Sequence, residues 1–237
     1  MLEGRDDAGG LTVIKIEGQQ ARIETGDDSG YMLIHMHAQK VYSVSREDRM
    51  VLDVSSPPPS AQDTPAGAPP KPTVTEVGPG PVIAGYPTVQ YRVKAGASRC
   101  FDDYLAPKAL QNEEIKRFAQ AMAAWTARLH GAGTADEDEC DAASDALNER
   151  YPRLGIPMRT VDAAGTVVHE ITRIQTGNTF PSSLFELPQG YPVITQEELM
   201  KRMRDMDNEG EGQPPPGHLD EMQEDTQDML QRLLEQE

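Results

Sequence analysis

Residues 11–54 repeat one unit, a short run of β-branched and apolar residues followed by a turn. A chain that breaks every few residues in this way cannot bury its apolar side chains on long helices, and it reads as antiparallel strands joined by hairpins. Residues 11–16 and 21–25 flank Gly18, Gln19 and Gln20 as the simplest hairpin, and strands follow at 31–37, 41–45 and 50–54. In the third strand the period of two places Met32, Ile34 and Met36 on one face, with Tyr31, Leu33, His35 and His37 on the other.

Residues 55–72 then carry seven prolines among Ser, Ala and Gly, a composition that cannot bury enough apolar surface to offset the entropy of ordering it. The segment reads as a flexible spacer that interrupts a domain, because strand patterns resume at 73–77, 88–94 and 99–105. Asn112 is placed to cap a helix with Glu113 and Glu114 in its first turn, and Ile115, Phe118, Ala119, Met122 and Leu129 recur at helical spacing. Trp125 lies near that stripe and is expected to pack on the sheet. Thr134 and Glu137 form a capping box for a second helix running toward Arg150, with Cys140, Ala143 and Leu147 on its inner face. A hairpin at 158–162 and 166–174 follows, and Leu184, Phe185 and Leu187 are apolar anchors that close the unit. The expected architecture is α+β: one β-rich domain over residues 1–191, then a tail over 192–237. In the tail Thr195 and Glu198 cap one amphipathic helix, and residues 219–233 carry a second apolar stripe.

Charge narrows the partners. Of a formal net charge of -17, residues 195–237 hold 13 acidic and 4 basic side chains. Nucleic acid is a poor partner for such a surface, whose affinity would have to come from Lys and Arg on phosphates. No apolar run is long enough to span a bilayer as a helix. The first residues are polar, which fits either a cytoplasmic protein or one whose export signal has been removed. Two cysteines, Cys100 and Cys140, fit one disulfide or two reduced thiols, and their spacing favours neither.

Several short motifs resemble an uncharacterised family of exported bacterial domains related in fold to the outer-membrane lipoprotein carriers. They are Ile83-Ala84-Gly85-Tyr86 before the strand at Val89, Tyr104-Leu105-Ala106-Pro107 before the helix, and Gly155-Ile156-Pro157-Met158. Glu170-Ile171-Thr172-Arg173-Ile174 and the run from Ser183 to Tyr191 complete the set. The likeness covers residues 11–191 and departs from the family at the Pro-rich insertion, the acidic stretch at 136–145 and the tail. It implies a curved, half-barrel-like antiparallel sheet wrapped around helices, and export to the periplasm. In that compartment Cys100, in a strand, and Cys140, on the inner face of a helix, are expected to pair as a disulfide; two buried free thiols are the alternative.

No catalytic constellation emerges. There is no Gly-x-Ser-x-Gly elbow, no phosphate-binding Walker loop and no His-Glu-x-x-His, since Ile171, Thr172 and Arg173 follow His169-Glu170. His35 and His37 are the weak candidates for metal ligands, lacking a third, and no cofactor is expected. Asp102 and Asp103, as strand neighbours, point to opposite faces and so do not converge on one substrate; they read as a solvated edge. The expected function is a non-enzymatic exported module that holds a lipid or protein ligand against a curved sheet, with Met32, Ile34, Met36, Phe118 and Met122 as its ligand face. An envelope scaffold whose acidic tail recruits a protein partner is the alternative.

Overall fold

The computed structural model describes residues 1–26, 28–56, 72–130 and 139–210. The chain divides into two compact units, Met1–Glu197 and Glu198–Glu237. The first holds one twelve-stranded sheet built from two meanders. The first meander comprises β1 (Leu2–Asp6), β2 (Leu11–Glu17), β3 (Gln20–Thr25), β4 (Gly30–His35), β5 (Lys40–Ser45) and β6 (Met50–Asp53). The second comprises β7 (Pro72–Ile83), β8 (Tyr86–Ala95), β9 (Ser98–Ala106), β10 (Ile156–Asp162) and β11 (Val167–Ile174). A short strand, β12 (Val193–Thr195), completes the order β12-β6-β5-β4-β3-β2-β1-β11-β10-β9-β8-β7. Pairing is antiparallel throughout except between β12 and β6, and the curved sheet does not close.

The two meanders meet along β1, which pairs with β2 on one side and β11 on the other, Leu2 opposite both Ile14 and Ile174. This strand was not expected, because Leu-Glu-Gly-Arg-Asp offers one apolar side chain and no alternation. Its buried positions, Leu2 and Gly4, are covered by the neighbouring strands, while Arg5 and Asp6 stay exposed. Gly4 is the point of closest approach, where a β-carbon would lie 3.0 Å from the His169 ring and 3.1 Å from the Glu170 carbonyl oxygen.

Helix α1 (Glu113–His130) begins as its sequence dictates: the Asn112 side-chain oxygen accepts the backbone N–H groups of Glu114 and Ile115 at 3.0 and 3.1 Å. Its apolar stripe packs Ile115, Phe118, Ala119 and Met122 on one sheet face, in a core shared with Leu2, Ile16, Ile34, Met36, Met158 and Ile171. Trp125 donates its indole N–H to the Val54 carbonyl at 2.8 Å. Helix α2 (Glu139–Asn148) lays Ala143 and Leu147 on Tyr91, Val93 and Leu105 of the second meander, and the single turn α3 (Tyr151–Leu154) leads into β10. The expected capping box at Thr134 and Glu137 lies outside the described residues. Cys100 of β9 and Cys140 of α2 are joined by a disulfide, S–S 1.99 Å and Cα–Cα 5.4 Å. Gly155, at φ 137°, turns the chain into β10 where a β-carbon would lie 2.6 Å from the Ala106 carbonyl carbon, so no other residue fits there.

The opposite sheet face is also covered. Leu33, Val44 and Val51 form a small core with Tyr31, Tyr42, Leu187 and Tyr191. Arg22 clamps this cover: its guanidinium donates to the Leu184 carbonyl at 3.0 Å and to Glu24 at 2.7 Å, and stacks on the Tyr31 ring. Covering both faces explains why Leu33 and Ile34, neighbours in β4, are both buried.

The first compact unit runs past residue 191, where the sequence placed its boundary. Val193–Thr195 adds to the sheet beside β6, Ile194 is buried, and the Val51 N–H donates to the Pro192 carbonyl at 2.9 Å. Helix α4 (Gln196–Gly210) follows directly after Thr195, and the second apolar stripe of the tail, at 219–233, lies outside the described residues.

Candidate functional site

An apolar cleft of about 270 Å³ opens between α1 and the seam of the two meanders. Its sheet wall is Leu2, Ile14, Ile23, Ile156 and Ile171, contributed by five strands, and its helical wall is the stripe Ile115, Phe118, Ala119 and Met122. The polar groups in the lining are Thr126, Asn148, Tyr151 and His169. Leu2 opposite Ile14, and Ile14 opposite Ile23, form one row of the sheet, so alternation in three strands delivers their side chains to the same side.

Beside the cleft a polar row crosses the second meander. Register places Tyr91, Asp103, Thr160, His169 and Asp6 opposite one another on β8, β9, β10, β11 and β1. Asp103, fully buried, accepts the Tyr151 hydroxyl at 2.5 Å and the Thr160 hydroxyl at 2.6 Å. Burial pushes its carboxyl above the usual range, and the same burial with the adjacent carboxylate pushes the Tyr151 phenol well up. Burial lowers His169, which favours the neutral imidazole at the cleft wall. Asp102 behaves oppositely. On the other face of β9 it accepts both the Nε and Nη2 of Arg92 at 2.9 Å, Gln90 at 2.7 Å and pairs with Arg99 at 3.2 Å, contacts that hold its carboxyl below the usual range. The two carboxylates therefore do point apart, but neither is a solvated edge: both are buried and hydrogen-bonded.

Of the ligand face expected from sequence, Phe118 and Met122 line the apolar cleft. Met32, Ile34 and Met36 share the same sheet side, but Ile34 and Met36 are buried in the core beneath α1 and Met32 packs against it, so none of the three lines this cleft. The remaining walls, from β1, β11 and α3, were invisible to local pattern. They come together only through the pairing of β1 with β11.

His35 and His37 do not share a strand face. Strand β4 ends at His35 and the chain turns through Met36 to Gln39, with Gln39 at φ 53°. The His35 ring lies 3.0 Å from the Phe185 carbonyl and edge-on to Tyr42, while His37 is exposed in the turn. Among the described residues no group of three or more His, Cys, Asp or Glu side chains is placed to hold a metal ion, and no helix is long and apolar enough to cross a membrane.

No protein family profile and no curated protein matches the chain. Among solved structures it is similar to one described as the crystal structure of MucB, with 11% identity and a TM-score of 0.35 over 79% of this chain. The chain spans 56% of the length of that one.

Proposed function

We propose that the protein is a non-catalytic binding module that takes one small apolar group, such as a single acyl chain, into the cleft between α1 and the sheet. The observation that carries this reading is the cleft itself: apolar walls with few polar groups, in a chain where other apolar surface of this sheet face is packed. Its size sets the ligand. Pockets for drug-sized molecules run to roughly 300–1,000 Å³, so a cleft of about 270 Å³ suits one chain and is too small for a lipid with several. The disulfide between Cys100 and Cys140 supports an oxidising compartment, and the periplasm is the one that the sequence resemblance favours.

Displacement of a fluorescent apolar probe by fatty acids of increasing length tests the reading. Each buried methylene contributes about 0.8 kcal/mol, so affinity should rise with length and then level off once the cleft is full. Ala123→Leu, which puts a larger side chain on the cleft wall, should abolish binding while leaving the melting temperature within a few degrees. Affinity that climbs without a plateau, or that ignores Ala123→Leu, counts against the cleft as the site.

A further inference from the structure

A second cleft, of about 240 Å³, lies along a different stripe of α1 and mixes polar and apolar lining residues. Arg117, Ala121, Ala124 and Arg128 all line it, spaced i, i+4, i+7 and i+11, so they share one helical face. The two alanines leave the floor low between the two arginines. The turn after β4 supplies the facing wall through Met36 and Gln39. No carboxylate is among the described residues that line this cleft, in a chain with 39 acidic and 22 basic residues.

Neither arginine has an ion pair among the described residues. The Arg117 Nε is buried and makes no hydrogen bond among the described residues, a costly state for a charged donor unless a ligand completes it. Among the described residues Arg128 makes two long contacts, both to Gln39, at 3.3 Å to the side-chain oxygen and 3.5 Å to the carbonyl. Elsewhere in the sheet guanidinium groups are matched to carboxylates, as Arg92 is to Asp102 and Arg159 to Glu170. Lys40, also in the lining, is held by Asp53 at 2.7 Å, and Glu114, one turn before Arg117, accepts the Gly18 N–H at 3.0 Å. Lys40 is thus ion-paired, and Glu114 is hydrogen-bonded and lies outside the lining.

We propose that this cleft binds an elongated small-molecule dianion, with one oxyanion on Arg117 and the other on Arg128. The spacing sets the shape: eleven residues of helix separate the two backbones by about 16 Å, too far for both to grip one compact anion without leaning together over the alanines. Guanidinium suits carboxylate and phosphate oxygens alike. This site is independent of the apolar cleft and does not require it to bind anything.

Isothermal titration of the full chain at low salt with α,ω-dicarboxylates from succinate to sebacate, matched monocarboxylates and hexane-1,6-bisphosphate tests it. The expected result is one-to-one binding for the longer dianions, at least about tenfold tighter than for the monoanion of equal length and weakened by salt. A preference between carboxylate and phosphate ends identifies the oxyanion. Arg117→Gln and Arg128→Gln should each reduce the dianion to the monoanion's affinity, whereas Arg46→Gln, at a residue paired with Asp28, should change nothing. Without ligand, Arg117→Gln should melt no lower than the parent, because it removes an unpaired buried N–H. If that variant misfolds, Arg128→Gln alone decides. Binding that ignores the second anion, survives Arg128→Gln, or fails to saturate at about 10 mM overturns the proposal.

Discussion

Replacing Cys100 and Cys140 together by alanine cuts the only covalent link between β9 and α2 among the described residues. The bond closes a loop of sequence separation 40, and in the chain-entropy treatment such a closure removes enough freedom from the unfolded chain to stabilise the fold by about 4 kcal/mol. Lost packing adds to this, since Cys100 is buried among Val93, Leu105 and Leu147, and trimming two sulfurs from that cluster costs up to ~1 kcal/mol. With an m-value of roughly 2–3 kcal/mol/M, the urea midpoint should fall by about 1.5–2 M. Equilibrium unfolding followed by circular dichroism measures it, with the parent protein run in oxidised and reduced form. Reduction should account for most of the loss and should raise the m-value, because a chain without the cross-link expands further on unfolding. Oxidised and reduced parent unfolding at the same urea concentration would refute the reasoning, and would place the stability of the α2 region in its apolar contacts alone.

The neighbouring carboxylates should give stability profiles of opposite slope. Asp103 has a raised carboxyl in the folded state, so its contribution is full below the unfolded carboxylate range and is lost as pH rises through the folded value; the advantage of the parent over Asp103→Asn should shrink with rising pH. Asp102, lowered by Arg92, contributes above the unfolded value and loses that contribution as pH falls through the folded one, so the advantage of the parent over Asp102→Asn should shrink on acidification; urea midpoints across a pH series read both. Ending the chain after Tyr191 should destabilise the sheet by about 2–3 kcal/mol through the loss of buried Ile194 and the pairing of β12, whereas ending it after Glu197 should leave the melting temperature within a few degrees.

What the sequence made legible was whatever is decided locally. The hairpins between residues 11 and 54, the Asn112 cap and the inner stripe of α1 are each written in a few adjacent residues, and each stands in the fold. The opposed directions of Asp102 and Asp103 followed from alternation alone. Their burial did not, because Asp103 is covered by Tyr151, 48 residues further on, and Asp102 is matched by Arg92, 10 residues back on another strand. The same limit hid β1, whose burial is conferred by β11, and with it most of the sheet wall of the apolar cleft. His35 and His37 failed for a smaller reason: the strand ends at His35, two residues short of carrying its alternation to His37.

The position of β1 bears on how the sheet assembles. The first meander is a run of neighbouring hairpins and can form from contacts close in sequence, and the second adds one longer connection, through the helices between β9 and β10, yet the two become one sheet only when Leu2 finds Ile174. That pairing is among the most distant in the chain and belongs late in the folding order. Until it forms, β1 and β11 are open strand edges, the kind of surface that recruits another chain instead of its own. A side chain at Gly4, wedged against His169 and the Glu170 carbonyl, would leave both half-sheets locally sound while holding that edge open, so its signature would be aggregation during refolding more than a loss of secondary structure.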